Sequence, residues 1–382
     1  MGAWSSKAIA PAKPPLPEAR PWSDLPPELA GLVLCRLPFL ADRVRFGSVC
    51  RHWRHAVRQQ APALPPAFPW IISFNGLTYR SIQDGQVSRL SRPSKSTACW
   101  GSSENWLLLA RPWHGHGPKN YNFLENPLSG AVIPLPGQLD PDMSVNGFAE
   151  LACIHKFIVC SNNVIVATTI SCPLVACCRP GMSSWSTSLH AGSESYYEDI
   201  AFYNGEICAI TTRGDLFAHE VSVDNGNGEA TVSSAKQVIK GSDTGYEGGI
   251  TRFLVVSPCG NKLLMVNHEK CHGLLDDGYV FKVFEADVEM SRWSQLASLG
   301  DQVLFLSRKC SKAIPASTHD DEYFRGDKIY FLDRALQGPK KCRSPTGLTS
   351  SGMYDLRNNA YHPILSDNLR VGDVMSWFFP HK

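Results

Sequence analysis

The most recognisable chemical spacing in the sequence is the literal His-Glu-x-x-His of His268, Glu269 and His272. Such a motif binds zinc when a helix places both imidazoles on one face and the glutamate beside a metal-bound water. Here the motif follows an apolar, strand-like run at 263–266 and precedes Gly273, which leaves no room for a helix of that length. The sequence indicates no third ligand. We therefore expect a β-hairpin loop at these residues and no metal site.

Three further polar stretches favour loops over catalytic or binding sites. His114 and His116 lie in a glycine- and proline-rich stretch without nearby carboxylates, and the Asp-Asp-Glu run at 320–322 is typical of a solvated loop. The stretch 225–229 lacks the spacing of a phosphate-binding loop, and no Walker, Gly-x-Gly-x-x-Gly or Gly-x-Ser-x-Gly motif occurs. We predict no catalytic residues, no cofactor and no metal, and thus a protein that is not an enzyme.

The 13 cysteines show no pattern of a zinc site or a disulfide scaffold. No two are three residues apart, and their number is odd. The adjacent Cys177 and Cys178 cannot face the same side of a strand, so we expect one of them in the core and no redox pair. Most cysteines are expected to be small buried apolar residues, in a protein of a reducing compartment, the nucleus or cytoplasm.

Composition and charge exclude several classes of protein. Of the 382 residues, 43% are hydrophobic, which is enough for a core, and the net charge of +2 gives no reason to expect a nucleic-acid partner. Residues 1–20 lack the apolar segment of a secretory signal, and no apolar run approaches the roughly 18 residues that span a bilayer. The charge is uneven, because seven arginines and only three acidic residues lie between 20 and 60. A basic head therefore precedes a slightly acidic body.

The head predicts three short helices, after a Pro- and Ala-rich tail at 1–21 that we expect to be disordered. Asp24 is a candidate N-cap for the first helix, which Pro38 ends. A second helix is expected over about 39–46. The third helix follows Gly47, and Val49 and Trp53 contribute to its apolar face. Three helices in about 40 residues bury little area, so the surplus of apolar residues in the first helix requires a partner surface.

This arrangement resembles the F-box, and we assign residues 22–61 to it. The matching elements are Leu-Pro-x-Glu-Leu at 25–29 and Val-Cys-basic-x-Trp at 49–53. The resemblance implies binding to the Skp-type adaptor of a cullin-RING ubiquitin ligase. It implies adaptor contacts for Leu25, Pro26, Leu29, Leu32, Val33, Leu37 and Val44. It implies a core role for Val49, Cys50 and Trp53. The alternative is an unrelated three-helix cap that docks on the body.

The body, residues 70–380, predicts repeated short antiparallel strands. The clearest unit is 199–220, in which Asn204-Gly205 separates two alternating runs, a strong hairpin signal. Related meanders recur at 253–286 and 322–356. Four-stranded units of about 40–50 residues favour an all-β propeller of about six to eight blades. The alternative is a pair of β-sandwiches.

An ordered set of stretches in the body resembles plant F-box proteins whose C-terminal region is domain of unknown function 295, the KIB-type β-propeller. The stretches are 101–108, 126–136, 179–185, 197–205, 213–217, 281–285, 298–306 and 377–380. Singly each match is weak, but together and in this order they are specific.

The two resemblances imply a substrate-receptor subunit of an SCF-type ubiquitin ligase. The F-box would bind the Skp-type adaptor, and the propeller would recruit a protein substrate for ubiquitination. No nucleic-acid or membrane partner is expected. One alternative is a propeller that acts as an enzyme or small-ligand binder beneath a helical cap. Another is an adaptor-bound protein that works outside ubiquitylation.

Overall fold

The computed structural model shows a chain that divides into two compact units, 1–65 and 66–382. The residues that it describes are 22–37, 39–64, 67–73, 78–82, 87–89, 98–111, 121–136, 154–160, 163–169, 174–189, 196–224, 226, 228–241, 249–272, 277–316, 325–332, 351–364 and 375–380. The predicted tail, the stretch of His114 and His116, and the run 320–322 lie outside the described residues.

The N-terminal unit contains three α-helices, α1 (Pro27–Cys35), α2 (Leu40–Ser48) and α3 (Arg51–Gln60), with short 3₁₀ turns at Trp22–Asp24 and Ala61–Ala63. The expected N-cap at Asp24 is wrong. Helix α1 begins after Pro26, which has no side-chain cap, and Asp24 belongs to the preceding 3₁₀ turn. The backbone of Pro26 is already extended, and Pro27 has the φ that a first helical residue needs.

A small apolar core holds the three helices together. Its buried residues are Ala30, Leu34, Phe46, Ala56 and Val57. The rings of Phe46 and Trp53 stack with their centroids 4.2 Å apart, which joins α2 to α3. Helix α3 is amphipathic, and its arginines lie on the exposed side.

The second unit is built of short strands. Blades 1 to 3 contain β1 (Trp70–Ser73), β2 (Thr78–Arg80), β3 (Val87–Arg89); β4 (Ala98–Ser103), β5 (Trp106–Arg111), β6 (Tyr121–Glu125), β7 (Val132–Pro134); and β8 (Ile154–Val159), β9 (Ile165–Thr169), β10 (Leu174–Cys178), β11 (Ser186–Leu189). Blades 4 to 6 contain β12 (Tyr197–Tyr203), β13 (Glu206–Thr211), β14 (Leu216–Val223), β15 (Ala230–Val232), β16 (Lys236–Ile239); β17 (Ile250–Val256), β18 (Leu263–His272), β19 (Asp277–Asp287), β20 (Arg292–Leu296); and β21 (Gln302–Ser307), β22 (Lys312–Pro315), β23 (Lys328–Leu332), β24 (Ser351–Asp355), β25 (Ala360–Pro363). The last strand is β26 (Met375–Phe378).

The described strands form six sheets, and neighbouring sheets contact one another in a closed ring through β4, β8, β12, β17, β21 and β26. The ring is closed by β26, which pairs antiparallel with β1 and so completes blade 1 with the end of the chain. The fold is therefore a six-bladed β-propeller, which confirms the predicted class and gives the lower end of the predicted blade range. The alternative of two β-sandwiches is wrong.

The hairpin predicted at Asn204-Gly205 is present. Both residues have positive φ, +50° and +85°, and β12 pairs with β13 on either side. Two successive positive φ angles define the turn type that matches the right-handed twist of the strands. The meander over 253–286 is also present, as β17, β18 and β19.

Blade 6 differs from the predicted meander. The expected first strand at 322–324 lies outside the described residues, and the strand beside β23 is β21, to which it runs parallel. Strand β22 pairs with the other edge of β21. Parallel neighbours need a longer connection than a hairpin, and the chain between β21 and β23 contains β22.

Both faces of the inner strands are buried between blades. All five residues of β10 are buried. Val175 and Cys177 pack into one apolar cluster, and Ala176 and Cys178 pack into another. The expectation that only one of the two adjacent cysteines is buried is therefore wrong, because a blade has a neighbouring blade on each side.

The His-Glu-x-x-His residues lie within strand β18 and not in the expected hairpin loop. His268 pairs with Thr251 and Phe281 in the sheet, is 1% exposed, and stacks on the Phe281 ring at 4.6 Å. In a strand, Glu269 lies on the face opposite His268, and positions 268 and 272 are about 13 Å apart at about 3.3 Å per residue, so this segment cannot form the helical zinc site. Among the described residues, no group of three or more potential ligands is placed to hold a metal ion. No helix in the described part of the chain is long and apolar enough to cross a membrane.

Candidate functional site

Helix α1 is apolar on two faces, and only one of them is used by the fold. Ala30 and Leu34 are fully buried against the other helices. Leu29, Leu32 and Val33, at helical spacing i, i+3 and i+4, are 48%, 55% and 41% exposed. An exposed cluster of large apolar side chains on one helix face is typical of a protein-binding surface. We call Leu29, Leu32 and Val33 the α1 ridge.

The other residues predicted to contact the adaptor fall into two groups. Pro26 and Val44 are exposed, with Val44 on α2 at 53%. Leu25 and Leu37 are half-buried and pack against the helical core. These two leucines lie just before and just after α1, and each has one side packed on the core of the unit and one side exposed.

Val49 was predicted to lie in the core, and this prediction is wrong. Helix α2 continues to Ser48, which places Val49 at the C-cap with its side chain 64% exposed. The core position is filled by Phe46, one turn earlier. Cys50 is half-buried and caps α3, since its Sγ accepts a hydrogen bond from the backbone N–H of Trp53 at 3.4 Å. Val49 thus adds to the exposed apolar surface.

Three polar side chains on α2 and α3 fix the chain segments on either side of α1. The indole N–H of Trp53 donates to the Trp22 carbonyl at 2.8 Å, and His52 Nε2 donates to the Leu25 carbonyl at 3.0 Å. Arg43 Nε donates to the Leu37 carbonyl at 2.7 Å. These bonds hold both ends of α1. No sequence motif indicated this role for His52 or Arg43, because a side chain that binds a distant backbone carbonyl leaves no local pattern.

The propeller contains a buried ion pair between Lys156 on β8 and Asp199 on β12, each 3% exposed. Asp199 also accepts hydrogen bonds from the backbone N–H of Ile200 at 2.7 Å and of Leu254 on β17 at 2.9 Å. The carboxylate therefore joins blades 3, 4 and 5. Burial raises the pKa of Asp199, and the Lys156 ammonium and the two N–H groups oppose that rise.

A second polar group of residues stands beside this pair. His155 Nε2 donates to the Glu198 carbonyl at 3.1 Å. Burial, together with nearby Lys309, Arg308 and Lys156, lowers the pKa of His155 to about 4. Burial raises the pKa of Glu198 to about 7, although Arg308 and Arg252 act in the opposite direction.

A cavity of 290 Å³ lies among the first strands of blades 2 to 5 and the hairpin between β21 and β22. Its charged lining residues are Glu104, Lys156, Lys309 and Lys312. Lys312 Nζ pairs with Glu104 Oε2 at 2.6 Å, and Lys309 Nζ donates to the His155 carbonyl at 2.7 Å. No sequence motif indicated any of these four residues.

A chain of buried hydroxyl groups joins the two blades beside the closure strand to that strand. Ser102 Oγ on β4 donates to Ser376 Oγ on β26 at 2.7 Å, and Ser307 Oγ on β21 lies 3.1 Å from the same atom. Ser307 Oγ also donates to the Cys310 carbonyl at 2.7 Å. The ring is therefore closed by side-chain hydrogen bonds as well as by the β26–β1 ladder.

Comparison with known proteins identifies both units. The F-box domain model matches residues 22–62, and the KIB1-4 β-propeller model matches residues 79–355. The F-box protein At2g26160 of Arabidopsis thaliana is 23% identical over 350 residues, which cover 82% of this chain and 95% of that protein. The Arabidopsis thaliana protein At5g55150 is 22% identical over 330 residues, 82% of this chain and 85% of its own.

Among solved structures, TolB from Acinetobacter baumannii is similar with a TM-score of 0.39 and 12% identity, over 84% of this chain and 70% of that one. The family match covers most of the propeller and the F-box match covers the helical unit. The chain belongs to the KIB1-4 β-propeller family, and it carries an F-box domain ahead of the propeller.

Proposed function

We propose that this protein is a substrate-receptor subunit of an SCF-type ubiquitin ligase, in which the F-box binds a Skp-type adaptor and the propeller recruits a protein substrate. F-box domains generally bind Skp-type adaptors, and the pairing of an F-box with a propeller is typical of non-catalytic adaptor proteins. The contribution of such a subunit to ubiquitin transfer is proximity, since it holds the acceptor protein near the loaded enzyme. We place it in the nucleus, the cytoplasm or both.

The observation that carries the adaptor part of the proposal is the α1 ridge. Fully burying a leucine or valine side chain contributes roughly 1.5–3 kcal/mol, so three such side chains about half exposed leave several kcal/mol of stabilisation unused in the free protein. A partner protein that covers these three side chains gains this free energy on binding. The exposed Pro26, Val44 and Val49 extend the apolar surface available to that partner.

The basic charge of the helical unit supports the same assignment. Arg36, Arg45 and Arg58 are exposed, and the segment contains few carboxylates. Exposed cations on the same small unit as an apolar patch increase the association rate with an acidic partner and add specificity more than affinity. An acidic, apolar-grooved adaptor is the kind of partner that such a surface fits.

The test is capture of the full-length protein by purified Skp-type adaptor. The variant Leu29→Asp with Leu32→Asp places two charges in the proposed interface, and burying each without a partner costs several kcal/mol. We expect capture to fall at least about a hundredfold. The matched control is His55→Asp with Gln59→Asp, because both residues are exposed on α3 and the added charge is the same.

Circular dichroism of both variants separates loss of binding from loss of folding. The fold depends on Ala30 and Leu34 rather than on the ridge, so the two double variants should show the same helix content and melting temperature. Equal capture of the ridge variant and the control would contradict the adaptor assignment.

The ligase part of the proposal needs a second measurement. Candidate substrates are the proteins that co-purify with the full chain and are retained when the ridge carries both aspartates. Reconstituted ligase should ubiquitylate a retained protein with the wild-type chain and not with the ridge variant. Retained proteins that are bound but never modified in any reconstitution would favour a role outside ubiquitylation.

A further inference from the structure

The 290 Å³ cavity in the propeller extends from solvent to the buried ion pair. Lys156, at one end, is 3% exposed, whereas the side chains of Lys312 and Glu104 are 27% and 40% exposed and Pro258 is exposed. The cavity is at the small end of the size range of ligand sites, about 300 Å³ and above. It can therefore hold one compact chemical group.

The described side chains that line this cavity carry a positive charge. Three lysines and one glutamate line it directly, and Asp199 behind Lys156 reduces the formal charge from +2 to +1. Lys309 and Lys156 are among the causes of the lowered pKa of His155, so two cations of the cavity act on a neighbouring side chain. This contrasts with the slightly acidic composition of the rest of the body.

Glu104, at the solvent-exposed end of the cavity, has an unusual backbone conformation. Its φ is +54°, and the same turn between the first and second strands has Asn163 at +59° in blade 3 and Asn204 at +50° in blade 4. Asparagine adopts this region several-fold more readily than other non-glycine residues, so glutamate here is the less favourable choice for the turn. Its carboxylate, however, contacts the Lys312 ammonium at 2.6 Å.

We propose that this cavity binds an oxyanion, a phosphate or carboxylate group, through Lys312 and Lys309. When the oxyanion is absent, the Glu104 carboxylate forms an ion pair with the Lys312 ammonium in its place. Ammonium groups are point-charge ligands for such groups, and charge-assisted hydrogen bonds are the strong ones. The half-exposed Glu104 side chain can turn towards solvent when an oxyanion replaces it. Lys156 and Asp199 hold the inner end of the cavity together.

The oxyanion can come from a free small molecule or from an acidic side chain of a recruited protein. The second source rests on the proposed function, but the site itself does not. Both sources share the same chemistry, and two probes distinguish them. Pyrophosphate represents a free oxyanion, and a capped hexaglutamate peptide represents an acidic protein segment.

The experiment measures binding of each probe to the full-length protein by isothermal titration calorimetry at constant ionic strength. The variant Lys312→Gln removes a cation of the site and should weaken binding at least about tenfold. The variant Glu104→Asn removes the competing carboxylate, suits the turn, and should tighten binding. The control Lys262→Gln removes a half-exposed lysine that pairs with Glu285 on blade 5 and does not line the cavity.

The site is supported for a given probe if its affinity falls in Lys312→Gln, rises in Glu104→Asn and stays unchanged in Lys262→Gln. Absence of saturable binding of both probes to wild-type protein would overturn it, and so would equal affinities in all four proteins. Adaptor capture by the same proteins is the independent readout. Wild-type protein that the adaptor captures but that binds neither probe refutes only this inference. Wild-type protein that binds a probe but is not captured by the adaptor refutes only the adaptor assignment.

Discussion

Asp199→Asn is the sharpest test of how the propeller is held together, because it removes one charge and keeps the size and shape of the side chain. The substitution leaves the Lys156 ammonium buried, at 3% exposure, without its counter-charge. It also weakens the acceptor for the backbone N–H groups of Ile200 and Leu254. Breaking a buried pair by removal of one partner costs about 3–5 kcal/mol. We expect a loss of that size in the free energy of unfolding.

The double variant Lys156→Met with Asp199→Asn should be much less destabilised than the two single variants would suggest together. It removes both charges, and replacing a buried pair by uncharged side chains of similar volume is often nearly neutral. A coupling energy of more than about 2 kcal/mol is therefore expected from the double-mutant cycle. Lys282→Met is the control, since its pair with Glu269 is 44% and 25% exposed and contributes at most about 1 kcal/mol.

The assay is urea unfolding followed by tryptophan fluorescence, together with hydrogen–deuterium exchange of peptides from β8, β12 and β17. Exchange should increase in all three strands for Asp199→Asn, because the carboxylate joins three blades. A loss no greater than that of Lys282→Met would refute the reasoning. Additive single effects would refute it as well, since they would show that the two charges do not stabilise each other.

Three further predictions concern the helical core, the pH dependence and a blade contact. Leu34→Ala should cost about 2–5 kcal/mol and Leu32→Ala under about 1 kcal/mol in thermal unfolding, because only Leu34 is fully buried; equal losses would contradict the assignment of the two faces of α1. The pKa of Glu198 is raised to about 7 in the folded state, so the folded state binds a proton that the unfolded state has lost, and the free energy of unfolding should fall as the pH rises from about 4.5 to 7. Glu198→Gln should remove this pH dependence in urea titrations. An unchanged pH dependence would contradict the role of Glu198. Gly352→Ala should destabilise the protein in the same assay, since the added Cβ would overlap the Tyr361 ring. A stabilised variant would show that the ring has room to move.

The sequence predicted those parts of the fold that depend on local chemistry. The Asn204-Gly205 turn and its two strands were assigned correctly because two positive φ angles and alternating side chains are properties of adjacent residues. The blade number was predicted only as a range of about six to eight, and the parallel pairing of β21 with β23 was not predicted. They depend on contacts such as Trp70 with Phe378. Such pairing across the whole chain leaves no local pattern.

The sequence predicted which residues belong to the candidate adaptor-binding surface, but not which of their side chains are exposed and which are buried. Helical spacing identified Leu29, Leu32 and Val33, yet it could not show that Leu37 packs inward and that Val49 points outward. That division depends on where each helix begins and ends, which the spacing predicts only to within a few residues. The Lys156–Asp199 pair gave no signal, since its members are 43 residues apart and no local spacing joins them.

The continuous burial of the inner strands also decides between the two architectures that the sequence allowed. In a β-sandwich, one face of each strand packs on the opposite sheet and the other faces solvent, so buried residues alternate with polar ones. In β9, β10, β21 and β23, every residue is buried. Blades that stack around a ring cover both faces of such strands. The apolar run 174–178, which suggested one buried cysteine under an alternating rule, is thus the pattern of a strand buried on both faces, as the stacked blades require.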